Sequence, residues 1–147
     1  MANFDFTGVG SPTAWNAGVQ TRSWTIDVAD LKINKGLVTT DAVQLMAIPT
    51  GSGIQVLCGN VFVNTIYAGT SCAVDLGIDK GAEFTADYDC KVATGTRAAL
   101  STNAAPVIYS NTSGSTTYVT AEIKLGATDT TTGKVTFTLT FQPLGMN

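Results

Sequence analysis

The chain has 147 residues and a formal net charge of −3, with 44% hydrophobic and 13% charged residues. Its eight basic residues are scattered along the sequence, which argues against a nucleic-acid partner, because phosphate binding requires clustered Lys and Arg. No apolar run reaches the roughly 18 residues that a membrane-spanning helix requires. The N-terminus has neither the basic start nor the apolar stretch of a signal peptide, so we expect synthesis in a cytoplasm.

The composition predicts a single domain with an unusual surface. Globular proteins average about 25% charged residues, and here Thr, Ser, Asn and Gly take their place. A Thr-rich surface suits half-exposed β-strands, because the branched side chain packs on the pleated face while its hydroxyl meets water. A surface with few charges also tolerates close contact with neighbouring subunits.

The first 20 residues lack a regular pattern. Phe4, Phe6 and Trp15 lie among Gly, Ser, Pro and other small residues. Three large aromatic side chains have to be buried against something, which is either the domain's own surface or a neighbouring subunit that orders the segment on contact. We therefore predict an N-terminal arm at residues 1–20 and a single β-sandwich domain at residues 21–147, with these three aromatics as candidate contacts to the domain surface or to a neighbouring subunit.

Alternation of apolar and polar residues begins after the arm. Residues 24–28 alternate in this way, which predicts a strand with Trp24 in the core. Residues 31–37 are not expected to form a helix, because Asn34 and Gly36 are poor residues for a helix interior.

The middle of the chain carries several short strand patterns. Residues 37–48 predict a strand with a phase change typical of a β-bulge, and residues 49–53 (PTGSG) predict a turn. The inward-facing sets that follow are Ile54, Val56 and Cys58; Val61 and Val63; Cys72, Val74, Leu76 and Ile78; Phe84, Ala86, Tyr88, Cys90 and Val92; and the short piece 107–109.

The clearest alternation lies near the C-terminus, at residues 117–125 and 134–142. The connector 126–133 consists of turn-forming Thr, Asp and Gly residues, so the two strands are predicted to pair as an antiparallel hairpin. The whole pattern gives about eight short strands, which indicates an all-β, jelly-roll-like antiparallel sandwich.

Catalytic residue types are scarce. The chain has no histidine, which removes the commonest general base, the usual activator of Ser and Cys nucleophiles, and the favoured nitrogen ligand of metals. The sequence therefore predicts a protein without enzymatic activity or a cofactor.

One group of acidic residues is clustered in sequence, and its spacing does not match a calcium loop. We interpret these residues mainly as solvated positions on strands and turns, with incidental calcium binding as the alternative. They are Asp75, Asp79, Glu83, Asp87 and Asp89.

The three cysteines, Cys58, Cys72 and Cys90, each fall on the apolar side of a predicted strand. Buried thiols behave as small hydrophobes. The sequence has no CxxC pair that would indicate a zinc or redox site. We predict that all three pack in the core, and their odd number fits a reducing compartment.

Three short segments resemble small structural proteins of tailed bacteriophages. They are residues 27–33 (DVADLKI) with 38–43 (VTTDAV), residues 74–79 (VDLGID) with the following 84–89 (FTADYD), and residues 132–137 (TGKVTF). Together they extend over residues 25–143. The chain departs from the family pattern at residues 51–60 and 101–115, where it is expected to make contacts of its own.

The resemblance implies a capsid decoration, or cement, protein with a jelly-roll-like sandwich. Such proteins commonly sit as homotrimers on the outside of the phage head and clamp neighbouring major capsid protein subunits. It also implies a location in the virion after synthesis in the host bacterial cytoplasm, with Phe4, Phe6 and Trp15 as anchors between capsid subunits.

Two other roles remain open at this stage. Jelly rolls often bind sugars, so a carbohydrate-binding module that recognises a host glycan is one alternative. A structural component of the phage tail or neck is the other.

Overall fold

The computed structural model describes residues 3–5, 18–38, 41–100, 107–126 and 132–145. The described chain is almost entirely β-structure, in two sheets that pack face to face as a sandwich. Its elements are β1 (Asn3–Asp5), β2 (Gln20–Asp27), α1 (Val28–Lys35), β3 (Asp41–Ile48), β4 (Ser52–Thr65), β5 (Cys72–Ile78), β6 (Thr85–Asp89), β7 (Arg97–Ala99), β8 (Val107–Ser110), β9 (Thr117–Leu125) and β10 (Lys134–Gly145).

The strand order is that of a jelly roll. Sheet A has the order β1-β3-β9-β5-β6, and sheet B has the order β2-β10-β4-β7, with β8 also paired to β4. Apart from the β5–β6 hairpin and the step from β7 to β8, which both pair with β4, successive strands from β2 onward cross between the sheets. β2 and β10, from opposite ends of the chain, are neighbours. The predicted all-β jelly-roll sandwich is confirmed, with ten described strands in place of about eight.

Period-two alternation places the core between the sheets. Every second residue of β10 is buried, and Phe137 and Phe141 have no exposed surface. Trp24 on β2 is buried as predicted, and it is the register partner of Phe137. The predicted bulge in the third strand is confirmed by a register shift between Gln44 and Met46.

The predicted C-terminal hairpin is wrong. β9 pairs with β3 and β5 in sheet A, whereas β10 pairs with β2 and β4 in sheet B. Alternation specifies which face of each strand is buried, and both strands satisfy it by facing each other across the core rather than lying side by side.

The prediction that residues 31–37 lack a helix is also wrong. Asp27 caps α1, because its side chain accepts a hydrogen bond from the backbone N–H of Asp30 at 2.9 Å. Gly36 has a φ of +69° and ends the helix, so that the N–H of Leu37 reaches the carbonyl of Leu31 at 3.0 Å. Gly36 therefore terminates the helix instead of interrupting it.

β4 runs unbroken from Ser52 to Thr65, so the two inward-facing sets predicted at residues 54–58 and 61–63 belong to one strand. A Cβ atom at Gly59 would meet the Leu100 side chain at 2.5 Å and the Thr138 carbonyl oxygen at 2.7 Å. This glycine therefore permits close packing inside the sheet.

No helix in the described part of the chain is long and apolar enough to cross a membrane.

Candidate interaction surfaces

The outer face of sheet B carries a ladder of paired hydroxyl groups, formed where β2 and β10 lie side by side. The pairs are Thr21 with Thr140, Ser23 with Thr138, and Thr25 with Thr136, each with 2.8 Å between the two oxygens. We call these six residues the hydroxyl ladder.

The hydroxyl ladder is regular because its residues are register partners. Alternate residues of a strand face the same side about 6.7 Å apart, and neighbouring strands lie about 4.8 Å apart. Thr136 continues the row by donating to Asn64 on β4 at 2.7 Å. The result is an uncharged strip whose hydroxyls already have partners, and whose Thr side chains have few rotamers to lose on contact.

The far part of the sheet B outer face is more varied. Arg97 on β7 lies 5.0 Å from the centre of the Phe62 ring and donates to Asn60 at 2.6 Å. Leu57 on β4 and Ile108 on β8 are exposed. This part offers apolar and cationic contacts beside the hydroxyl ladder.

The outer face of sheet A is charged. Lys124 on β9 lies 2.6 Å from Asp75 and 2.8 Å from Asp87, and Asp75 also accepts the backbone N–H of Asp87 at 2.7 Å. Hydrogen bonds to Asp75 and then to Asp87 raise the pKa of Lys124, so the ammonium stays charged at neutral pH. Glu122 is the cross-strand partner of Asp75.

The acidic residues that cluster in sequence do not converge on one site. Asp79, Glu83, Asp87 and Asp89 are exposed, as predicted, but Asp75 is buried. Its burial was missed because the ion pair with Lys124, 49 residues away in sequence, is what compensates the buried charge.

Most of these carboxylates stabilise turns. Asp79 accepts hydrogen bonds from the Thr117 hydroxyl and, at 3.0 Å, from the backbone N–H of Tyr118. Glu83 accepts from the N–H of Ile78 at 2.8 Å. Within the described residues, no group of three or more His, Cys, Asp or Glu side chains is placed to hold a metal ion.

The cysteines divide into two kinds. Cys72 and Cys90 are buried as predicted, but Cys58 is exposed, so the prediction for it is wrong. A register shift on β10 opposite residues 56–58 leaves both Leu57 and Cys58 at the surface, which alternation alone does not reveal. A hydrogen bond with the Cys72 thiol, together with burial, raises the pKa of the Cys90 thiol.

A polar cleft of about 320 Å³ lies where α1 meets the ends of the sheet B strands. Asp27 and Lys134 line it and form an ion pair at 3.2 Å. Asp27 also caps α1, so its carboxylate has a structural role already. We therefore interpret the cleft as a gap between α1 and the strand ends, and not as a binding site.

Of the three aromatic residues predicted as contacts, only Phe4 lies in the described chain. Its backbone belongs to β1, which pairs in parallel with β3 and aligns Phe4 with Val43. Phe6 and Trp15 lie outside the described residues, so the contact prediction stays a prediction, as does the boundary between arm and domain.

The fold is similar to that of a phage capsid chain. A chain from the acidic stable capsid structure of Helicobacter pylori bacteriophage KHP30 aligns with a TM-score of 0.53 and 14% identity, over 86% of this chain and 89% of that one. A chain from the capsid of Ralstonia phage GP4 aligns with a TM-score of 0.48 and 13% identity, over 96% and 97%. No family model and no curated protein matches the sequence.

Proposed function

We propose that this chain is a structural protein of a bacteriophage particle, a decoration protein that binds the outside of the head and clamps neighbouring major capsid subunits. The observation that carries the proposal is the hydroxyl ladder on sheet B. Two further observations support this role. The fold of the protein is similar to that of a chain from a phage capsid, and three segments of its sequence resemble phage decoration proteins.

The hydroxyl ladder suits protein contact for a physical reason. Burying a charged group costs several kcal/mol unless it finds a partner, whereas paired hydroxyls lose little on leaving water because each keeps its hydrogen bond. An uncharged strip of this kind can dock on a protein surface with a small desolvation penalty. Shape complementarity and the exposed Leu57 and Ile108 then supply the affinity.

We further propose a homotrimer that acts in the virion. A shell presents many copies of the same site, so an oligomer can engage several at once, and the second contact benefits from a high effective concentration. Modest individual contacts then give firm attachment. Under this proposal the protein is made in the host bacterial cytoplasm and carries no catalytic site or cofactor.

The direct test is decoration of empty heads assembled from the major capsid protein of the same phage. The purified full-length chain should co-sediment with these heads and occupy regular positions on their outer surface in electron micrographs. Saturable binding in a fixed ratio to the capsid subunit is expected. Absence of binding to intact heads, or a location confined to the tail or neck, would overturn the proposal.

The arm is tested separately with the double variant Phe6→Ala and Trp15→Ala. We propose that these aromatics anchor the arm in grooves between capsid subunits, so the variant should fold normally and lose binding to heads. Circular dichroism and thermal unfolding verify the fold. If the variant occupied heads normally, the proposed anchoring by the arm would be wrong, whereas the proposed binding of the domain to neighbouring capsid subunits would still stand.

A further inference from the structure

Three hydrogen-bond donors on the inward face of β2 have no acceptor. They are the side-chain nitrogens Nε2 of Gln20, Nε of Arg22 and Nε1 of Trp24, all of which are buried and unpartnered within the described chain. The three residues lie two apart on one strand, so they face the same side. Missing acceptors at three successive inward positions indicate that something outside the described fold completes this surface.

Arg22 is the most demanding of the three. It is only 9% exposed, and its guanidinium lies 5.9 Å from the centre of the Phe141 ring. No described carboxylate forms an ion pair with it. Burial lowers the pKa of this guanidinium. A buried guanidinium N–H without an acceptor is unfavourable, and a carboxylate is the group that best matches the planar donors of arginine.

The adjoining sequence does not supply that carboxylate, because residues 6–17 contain no Asp or Glu. β2 is also an edge strand of sheet B, and its only described partner is β10. A strand edge with free backbone groups readily accepts contact from another chain. The unsatisfied donors and this edge, which has no second partner strand among the described residues, therefore lie on the same side of the sandwich.

Acidic residues lie on the opposite side. β6 is the edge strand of sheet A, and the segment that follows it, residues 90–96, leads across to β7 at the far edge of sheet B. β6 carries Asp87 and Asp89, both exposed, and the Asp87 side chain is 69% exposed. Lys124 keeps its shorter bond to Asp75 at 2.6 Å, so Asp87 can turn toward a second cation.

We propose that the β2 edge of one copy binds the β6 edge of the next copy, where a carboxylate from Asp87 or Asp89 pairs with Arg22. Contact between two β2 edges would bring a second Arg22 in place of an acceptor, so a two-fold arrangement is disfavoured by like charge. A contact between opposite edges is head-to-tail and closes into a ring when the rotation allows it. This deepens the proposed function, on which it relies for the expectation that the ring is a trimer.

The test is the self-association of the full-length chain, measured by sedimentation velocity over a range of concentrations and salt. Arg22→Met keeps the apolar stem and removes the charge. It should weaken self-association at least tenfold, roughly one decade of the dissociation constant. The control is Lys35→Met, which removes an exposed positive charge from the end of α1 and should leave self-association unchanged.

The stability of the isolated monomer makes the test sharper. If the acceptor comes from another copy, Arg22→Met should unfold at the same or higher urea concentration than the wild-type monomer, because replacing an unpaired buried charge with an apolar group is neutral or stabilising. Clear destabilisation or failure to fold would place the acceptor within the same chain and overturn the proposal.

The double variant Asp87→Asn and Asp89→Asn tests the other edge by removing both negative charges, and it leaves the core untouched because both side chains are exposed. It should weaken self-association to the same extent as Arg22→Met. Self-association as strong as in the wild type would refute the β6 assignment. A wild-type chain that decorates heads but stays monomeric in solution refutes this contact alone, whereas a trimer that never binds heads refutes the proposed function alone.

Discussion

The two sheets share one core but present opposite outer faces. The outer face of sheet B carries the hydroxyl ladder, which has no charge, whereas the outer face of sheet A carries Lys124, Asp87 and Glu122 around the buried Asp75. The inward residues of both sheets follow the same alternation of apolar side chains. The difference between the sheets is therefore confined to the surface, where packing does not dictate residue type.

This contrast separates two uses of a strand face. A charged face stays hydrated and keeps neighbouring molecules away from nonspecific contact. An uncharged face with internally satisfied hydroxyls loses little on burial and can serve as an interface. We interpret sheet A as the solvent side and sheet B as the docking side, and the following predictions test that assignment.

The largest contrast is expected in thiol reactivity. Cys58 on sheet B is exposed, whereas Cys72 and Cys90 are buried, and the raised pKa of Cys90 lowers its thiolate fraction further. Reaction of the buried pair requires an opening that costs about 5 kcal/mol or more, so a maleimide should modify Cys58 at least about a thousandfold faster. Mass spectrometry of the labelled peptides gives the rates.

The control for this labelling is Cys58→Ser, which should abolish the fast phase and leave the slow one. Fast modification of either Cys72 or Cys90 in the native protein would contradict the described burial of that side chain.

Sheet A's face should depend on its ion pairs. Asp75→Ala removes the shorter bond of Lys124 and the acceptor for the N–H of Asp87. Because the Lys124 side chain is 37% exposed, water compensates part of the loss, and we expect about 2 kcal/mol of destabilisation. Urea unfolding measures it, and Glu122→Gln on the neighbouring strand should change stability by less than about 0.5 kcal/mol. If Asp75→Ala and Glu122→Gln changed the free energy of unfolding equally, the ion pair between Asp75 and Lys124 would not stabilise the fold beyond an ordinary surface residue.

Much of the fold was predictable because alternation reports burial directly. The inward positions Val135, Phe137, Leu139 and Phe141 were all read correctly from sequence. The pairing of β9 and β10 was not, because period two specifies a face and says nothing about the adjacent strand. α1 was missed although its signals were present. Asp27 is a capping residue and Gly36 a typical helix terminator.

Less of the candidate surfaces could be predicted from the sequence. A Thr-rich strand face was evident, but the hydroxyl pairs join residues more than 100 positions apart and depend on the register of β2 with β10. Arg22, whose buried Nε has no acceptor in the described part of the chain, lies in an alternating strand, where its position two residues before Trp24 is the one available signal. Its significance depends on what surrounds the strand.

Docking through sheet B predicts a charge effect that sheet A does not share. Thr138→Lys places an ammonium in the middle of the hydroxyl ladder, where it would have to lose water on contact. We expect head binding to weaken about tenfold, equivalent to about 1.4 kcal/mol, with little change in stability. Gln44→Lys on β3 of sheet A is the matched control and should bind normally. The reverse result would exchange the roles of the two sheets.

The smallest expected effect is the contribution of one hydroxyl pair to folding. In a double-mutant cycle, Ser23→Ala and Thr138→Val each remove one partner of the 2.8 Å bond, and the combined variant removes both. Cross-strand pairs of this kind contribute about 0.2–1 kcal/mol, so the coupling free energy from urea unfolding should fall in that range. Because both residues are on the outer face, the single variants should leave the core intact. A coupling energy well above this range would mean that the ladder exists to stabilise the sandwich. A coupling energy of about 0.2 kcal/mol would mean that the hydroxyl ladder contributes little to folding stability. That result would support a role of the ladder as a contact surface.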